Sequence, residues 1–496
     1  MIGRGAFRRP AIPSPGTRAT ALVAALTLER AASLFAGAAP LLAFPRPGLG
    51  WLAWIVLVPG LTLMRAAPTV REAAVRGWWF GAGYLLAALY WTLPNIGPGL
   101  LLIAIVFGLP WAAWGAAVRR LIPARPFAAL IVVPSGWLVI ELLRSWPRLG
   151  GPWALLGASQ WEYPPILSLA ALGGVWLISF AIVAVNTAVV LALGTPRLRA
   201  RLIALALMIL LAGPASYALT AEPPADRTFT VALVQPGVVD DRAERLAASE
   251  RITAGLPPAD LVVWGESSVG YDLARRPDLT SRLAAHGPLL VNEDARDATG
   301  RISKSSVLIG PTGVEDRYVK TRLVPFGEYI PFRDAIGWLS RISAAAAENR
   351  VPGTGARVMS AGVTIGPLVC FESAFPDLGR AVVNRGAQVI VYQSATSTFQ
   401  DSWAPPQHAS LAAVRAAETG RPTVQAALTG VSAAFDARGR RLAWLDTGRR
   451  GSVIVTLRVP SPSSRTPYDR FGDYVAYLAV AVTMTAVLVA ARRRDR

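Results

Sequence analysis

Apolar runs long enough to cross a bilayer crowd residues 20–220 and return at 474–491, with a stretch of ordinary globular composition between them. A helical span needs about twenty predominantly apolar residues. The sequence offers eight such runs, at about 20–43, 48–65, 77–94, 98–118, 126–143, 167–193, 199–219 and 474–491. The first carries Glu29 and Arg30, too charged for the core of a signal peptide, and no small-residue cleavage site follows it. Only 16% of the chain is charged, against about a quarter in soluble domains. The expectation is a polytopic helical bundle of about eight spans carrying one soluble domain between the last two.

The net charge of +19 raises nucleic acid as a partner, but its placement argues otherwise. Outside the middle region the cations gather in short loops between apolar runs rather than along one face. Arg4, Arg8, Arg9 and Arg18 precede the first run, and Arg65, Arg71 and Arg76 lie near the gap between the second and third. Arg119, Arg120 and Arg125 follow the fourth, Arg197, Arg199 and Arg201 the sixth, and Arg492, Arg493, Arg494 and Arg496 the eighth. The alternate loops hold Arg46, none in Pro94–Pro98, then Arg144 and Arg148. Cytoplasmic loops are the cation-rich ones. This alternation puts both termini in the cytoplasm and the middle domain outside it. The loop at 144–166 is long, aromatic and rich in Gly and Pro. It reads equally as an interfacial substrate contact and as a purely structural connection.

From Thr228 the pattern changes to short apolar runs. Candidate strands lie at 229–235, 261–266, 288–292, 305–310, 363–370, 387–393, 422–428 and 452–458, with helices at 240–254 and 407–419. Strands alternating with helices point to a layered α/β domain. Three polar residues stand where such folds keep chemistry, at strand ends and the loops after them. Glu266 closes LVVWGE, Cys370 closes VTIGPLVC, and Lys320 opens KTRLVPFGEYIPF. A thiolate is a nucleophile. A neighbouring carboxylate whose pKa is raised by burial can take the thiol proton. An ammonium can stabilise the oxyanion of a tetrahedral intermediate.

Other residues narrow the choice. Cys370 is the single cysteine, so no internal disulfide exists, and two histidines, His286 and His408, do not suffice for a His-based zinc site. No metal and no cofactor is expected. His408 is the other base that could partner the thiol, but it sits in a helical stretch, and GESSVG is not a GxSxG nucleophile elbow. Lysine occurs only at Lys304 and Lys320 among fifty Lys and Arg residues, which marks both as candidates for positions that need an ammonium.

Glu266, Lys320 and Cys370 match the Glu–Lys–Cys triad of the nitrilase superfamily. Nearly end to end, the chain resembles that superfamily's membrane members, the apolipoprotein N-acyltransferases. WGES, KTRLVPFGEYIPFR, LVCFESAFPD, RAAETGRPTVQAALTGVSA, TPYDRFGD and, in the membrane part, ELLRSWPRLGGPWALLGASQ carry the resemblance. It implies an extracytoplasmic nitrilase-like αββα sandwich at 222–470, a seven-span bundle at 1–221, and a last helix with a basic tail at 471–496. It also implies that Cys370 takes a fatty acyl group from a membrane phospholipid as a thioester, with Glu266 as general base and Lys320 on the oxyanion. The acyl group would then pass to the α-amine of a diacylated lipoprotein. The expected setting is the bacterial inner membrane, with the protein a monomer.

Glu328 and Glu372 carry over as supporting residues, and Trp264, Phe326 and Tyr329 as substrate contacts. The aromatic after the nucleophile, commonly Tyr in the family, is Phe371, which removes a hydroxyl. Two segments depart from the family: VQPGVVDDRAERL lacks its QGN-like segment and arm tryptophan, and SATSTFQDSW replaces its later loop.

Lifting a long acyl chain into water costs on the order of ten kcal/mol. The donor should therefore enter sideways from the lipid, with Cys370 near the outer leaflet and an apolar groove leading to it. A membrane-anchored amidase passing the acyl group to water would use the same triad. A receptor or transporter would need internal repeats or charged midplane residues. No repeat is evident, and apart from arginines near their ends the charges within spans are Glu29, Arg30 and Glu141.

Overall fold

The computed structural model describes residues 15–149, 151–222, 224–296, 300–331, 333–337 and 350–492. Arg4, Arg8, Arg9, Arg493, Arg494 and Arg496 lie outside the described residues, as do the side chains of Arg18 and Arg148.

Each of the eight predicted segments contains a helix. Five are long and apolar enough to cross a membrane: Gly99–Ala124, Pro126–Arg144, Ala170–Gly194, Pro196–Leu219 and Tyr474–Arg492. The run at 48–65 is a shorter apolar helix, Gly50–Arg65. Pro15–Ala38 and Val70–Leu89 carry charge. The second of these begins earlier than the apolar run because Thr69 caps it, its hydroxyl accepting the Glu72 N–H at 3.1 Å. Glu29 and Arg30 of the first helix find partners: Arg30 pairs with Glu72 at 2.7 Å, and Glu29 pairs with Arg76.

The ends of the bundle differ. At one, Arg65 donates to the Val190 carbonyl, Arg119 to Ala67 and Arg199 to Ala192, so the arginine-rich loops meet there. At the other, the soluble domain docks. Tyr329 donates to Pro147, the Trp403 N–H to the Tyr90 hydroxyl, and Arg438 to Thr220.

The domain has two six-stranded sheets. The first has strands β1 (Ala225–Gln235), β2 (Leu261–Trp264), β3 (Leu289–Arg296), β4 (Ile302–Gly310), β5 (Gly313–Val319) and β12 (Gly451–Pro460), in the order β12-β1-β2-β3-β4-β5. The second has β6 (Met359–Ala361), β7 (Val363–Val369), β8 (Val389–Ser394), β9 (Thr423–Ala427), β10 (Ser432–Phe435) and β11 (Arg441–Leu445), in the order β11-β10-β9-β8-β7-β6. Each sheet has a parallel core, β1-β2-β3 and β7-β8-β9, with antiparallel edges. The sheets pack face to face, β1 and β2 against β9 and β4 against β7.

Helices Arg242–Ala254 and Pro277–Ala284 cover the first sheet, burying Val234, Trp264 and Leu283 in an apolar layer of their own. Helices Pro376–Asn384 and Ala404–Thr419 cover the second. The result is four layers, αββα. Ala404–Thr419 is buried along its whole length, because the sheet takes one side and the membrane helix Ala170–Gly194 the other. One apolar cluster therefore runs from the bundle through this helix into the space between the sheets.

The docking depends on a break in that membrane helix. Gly173 and Gly174 leave helical geometry, Gly174 at φ +69°. A Cβ at Gly174 would strike the Tyr468 ring, so the close approach needs glycine for space as well as for backbone. The break frees the Val175 N–H, which donates to Glu418 of the soluble domain at 2.9 Å.

Candidate active site

Parallel strands present their C-terminal ends on one edge of each sheet, and facing sheets bring the two edges together. Gly265 follows β2 so closely against the Leu428 backbone that a Cβ there would collide with it. The Glu266 N–H then donates across to the Ser394 carbonyl at 3.2 Å. Gln393 ties the sheets further, donating to the Trp264 and Leu290 carbonyls at 2.8 and 3.1 Å. Cys370 follows β7 at φ +50° and opens the short 3-10 turn Cys370–Ala374. Few side chains adopt such a φ without compensation from their surroundings.

Here the compensation is Glu372. Its Oε1 accepts Tyr318 Oη at 2.8 Å, the N–H groups of Thr321 and Arg322 at 2.7 and 2.9 Å, and the Thr321 hydroxyl at 2.8 Å. Its Oε2 accepts the Val369 N–H at 2.7 Å. One fully buried carboxylate thus fixes both the turn that carries Cys370 and the chain leaving Lys320. Burial pushes Glu372 above the usual carboxylate range, against the pull of those backbone donors.

Lys320 Nζ lies 3.1 Å from Glu266 Oε1 and 3.0 Å from Glu328 Oε1. Glu328 also takes the Val324 N–H at 2.9 Å and faces Arg350 at 3.2 Å. Burial opposes a charge on Lys320, but the Glu266 and Glu328 carboxylates hold its pKa well above the ordinary lysine range. Burial alone would raise Glu266. The charges of Lys320 and Lys304, with a hydrogen bond from Cys370, overcome it and hold Glu266 down at about 2. The expectation of a carboxylate raised by burial is therefore corrected: the cations win. Burial and the Glu266 charge push the Cys370 thiol up to about 12, against Lys320. At rest the site holds a carboxylate, an ammonium and a neutral thiol.

His408 does not serve the thiol. Its Nε2 lies 3.4 Å from Ser373 Oγ and its Nδ1 3.5 Å from Ser394 Oγ. Burial lowers its pKa to about 4, so it is neutral. The thiol's acceptor on the backbone is the Ala395 carbonyl, 3.9 Å away.

Trp264, expected at the substrate, packs away from the triad. It points into the outer apolar layer, fully buried, with its indole N–H on Thr253 Oγ1 at 2.9 Å. It is the last residue of β2, and the strand's alternation sends its side chain to the face away from the other sheet. Phe326 and Tyr329 sit in the loop that carries Glu328, closed by the Phe326 N–H on the Tyr329 carbonyl at 2.7 Å. Tyr329 reaches the bundle loop at Pro147.

That bundle loop borders the site. A Cβ at Gly151 would fall within 2.9 Å of the Phe371 ring, and Trp153 lies 6.4 Å from the His408 ring. Glu141 holds the loop from within the bundle, accepting the Leu156 N–H at 2.7 Å. A groove lined by Leu85, Leu89, Ile103, Phe107 and Trp153 opens beside it.

The membrane part matches the family described as apolipoprotein N-acyltransferase N-terminal domain over residues 36–188, and the soluble part matches carbon-nitrogen hydrolase over residues 230–462. The chain is 31% identical to the apolipoprotein N-acyltransferase of Pseudomonas putida, with 93% of this chain and 96% of that one covered. The chain belongs to the apolipoprotein N-acyltransferase family. It is also 29% identical to the apolipoprotein N-acyltransferase of Geobacter metallireducens (92% and 94% covered) and 32% identical to that of Agrobacterium fabrum (84% and 86%). In this apolipoprotein N-acyltransferase relative, the sequence reading missed Asp294 and the part played by Lys304. Lys304 stood out as one of two lysines, but only the pairing of β3 with β4 shows what it faces.

Proposed function

We propose that this protein moves a fatty acyl chain from a membrane phospholipid to the α-amine of a diacylated lipoprotein, through a thioester on Cys370. The observation that carries the reading is the meeting of Glu266, Lys320 and Cys370 at the sheet ends, beside a bundle loop that touches Phe371. In the first step Sγ attacks the ester carbonyl as its proton moves to Glu266. Lys320 stabilises the oxyanion, and the lysophospholipid alkoxide leaves with the proton from Glu266. In the second, the lipoprotein amine attacks the thioester, Glu266 takes a proton from the nitrogen, and Cys370 is released as the thiol.

The bundle supplies the donor from the side. The apolar groove between helices Val70–Leu89 and Gly99–Phe107 supports this, since it opens next to the loop at Gly151. The same reading has eight spans, with residues 1–221 and 471–496 in the membrane part and 222–470 catalytic. Both ends of the chain lie on the cytoplasmic side of the inner membrane, and the protein works as a monomer. Support comes from the arginine-rich loops gathering at the bundle end opposite the soluble domain.

The test is mass spectrometry of the intact protein after exposure to phospholipid vesicles, followed by addition of a diacylated lipopeptide. The expected result is a fatty-acyl adduct on Cys370 that the lipopeptide discharges, absent in Cys370→Ala. No adduct under conditions that trap thioesters overturns the mechanism. Free fatty acid without acylated peptide overturns the transfer in favour of hydrolysis.

A further inference from the structure

Lys304 sits on β4 directly across from Asp294 on β3. Its side chain is 8% exposed, with Nζ 3.1 Å from Asp294 Oδ1 and 3.5 Å from Glu266 Oε1. It also donates to the Ser267 hydroxyl. Ser267 is held at φ +56°, a conformation a serine rarely adopts, and its N–H is pinned by Asn292 Oδ1 at 2.9 Å. Lys304 further connects to the site through its carbonyl, which accepts the Lys320 N–H at 2.9 Å. The chain's only lysines are thus adjacent across β4 and β5, and both ammoniums face one carboxylate oxygen.

Charge balance gives this arrangement a purpose. Lys320 is shared between Glu266 and Glu328, so one cation serves two carboxylates. Arg350 faces Glu328 from the loop side, and Lys304 adds the remaining cation, itself offset by Asp294. Glu372, the Cys370 thiol and neutral His408 complete the titratable groups around them. Without Lys304 the buried cluster carries one more negative charge than with it, and burial then raises the pH at which a carboxylate takes up a proton. A protonated Glu266 cannot accept the proton of Cys370.

We infer that Lys304 is a positioning residue for the base of this site: held by Asp294 and Ser267, its ammonium fixes the Glu266 carboxylate and balances its charge. The inference rests on the acyl-transfer reading for its role and on charge geometry alone for its effect on Cys370. The same ammonium also lowers the cost of the thiolate, so it stays favourable as negative charge passes from Glu266 to sulfur.

The experiment uses the full chain in phospholipid nanodiscs and two variants, Lys304→Met and Asp294→Asn. Two rates are followed against pH: formation of the Cys370 acyl adduct, and alkylation of Cys370 by iodoacetamide. Removing the ammonium should move the acid limb of adduct formation up by about one to three pH units. Lys304→Met then loses a larger share of its pH 7.5 rate at pH 3.5 than the wild type does, and alkylation at pH 8 slows. Asp294→Asn leaves Lys304 unopposed, so alkylation should quicken. A Lys304→Met profile that falls equally at all pH values, or alkylation shifts of the same sign in both variants, overturns the inference. Should Lys304→Met not fold, Asp294→Asn decides alone, and unchanged or slower alkylation overturns it. A wild type that forms no adduct removes the acyl-transfer reading, while the alkylation arm still decides the role of Lys304.

Discussion

The Tyr329 hydroxyl donates to the Pro147 carbonyl at 3.1 Å, joining the loop that carries Glu328 to the bundle loop that reaches Phe371. A loop that holds a proposed site residue is thereby tied to the bundle. Tyr329→Phe should remove this bond. A net hydrogen bond is worth about 1 kcal/mol, so acyl transfer should fall by about fivefold at most, with the melting temperature lowered by no more than about 4 °C. Steady-state transfer to a lipopeptide, beside a thermal melt, checks it.

Glu266→Gln should separate two properties of Cys370 that usually travel together. Removing the carboxylate abolishes the proton acceptor, so acyl-adduct formation should fall by about a hundredfold or more. It also removes the charge that, after burial, holds the thiol up near 12. The thiolate fraction below the pKa rises tenfold for each unit the pKa falls, so iodoacetamide should react faster with the variant at pH 8. In the wild type, alkylation should keep climbing from pH 7 to 10 without a plateau. Slower alkylation in Glu266→Gln would contradict this charge arrangement.

Arg415 and Glu418 form a buried pair, 3.1 Å apart, on the helix shared with the bundle. Glu418→Ala strands the guanidinium and the Val175 N–H together, and should cost about 3–5 kcal/mol. Replacing both, as Arg415→Met with Glu418→Leu, should recover part of that loss because no charge is left unpaired. Thermal unfolding of the detergent-solubilised protein, followed by tryptophan fluorescence, measures both.

Trp264→Phe addresses the residue expected at the substrate but packed in the outer apolar layer. The indole N–H bond to Thr253 is lost, leaving that hydroxyl with one partner fewer, for about 1 kcal/mol of stability. The apparent KM for phospholipid should not change. A changed KM at unaltered stability would return Trp264 to the site.

What was legible in the sequence follows from physics that acts locally. Strands buried on both faces read as short apolar runs, so β1, β2, β7 and β8 stood out. β5, GVEDRYV, did not, because it is charged and half exposed. β10 is only SAAF, too short and small to signal, yet it pairs β9 with β11. Glu266, Lys320 and Cys370 were visible as polar ends of apolar runs and as members of a family triad. Their pKa order was not. Burial and cation proximity oppose each other at Glu266, and the balance is set by Lys320 and then by Lys304, which only the register of β3 with β4 places there. The glycine break at Gly174 was likewise silent, because its reason lies in Tyr468 and Glu418, far away in the chain.

Helix Ala404–Thr419 is covered by a sheet on one side and a membrane helix on the other. The catalytic half thus has no underside of its own. Cut free at its chain boundaries, it would bare a strip of core to water and clump rather than dissolve, so no freely diffusing version of this enzyme can be had by trimming away its membrane part.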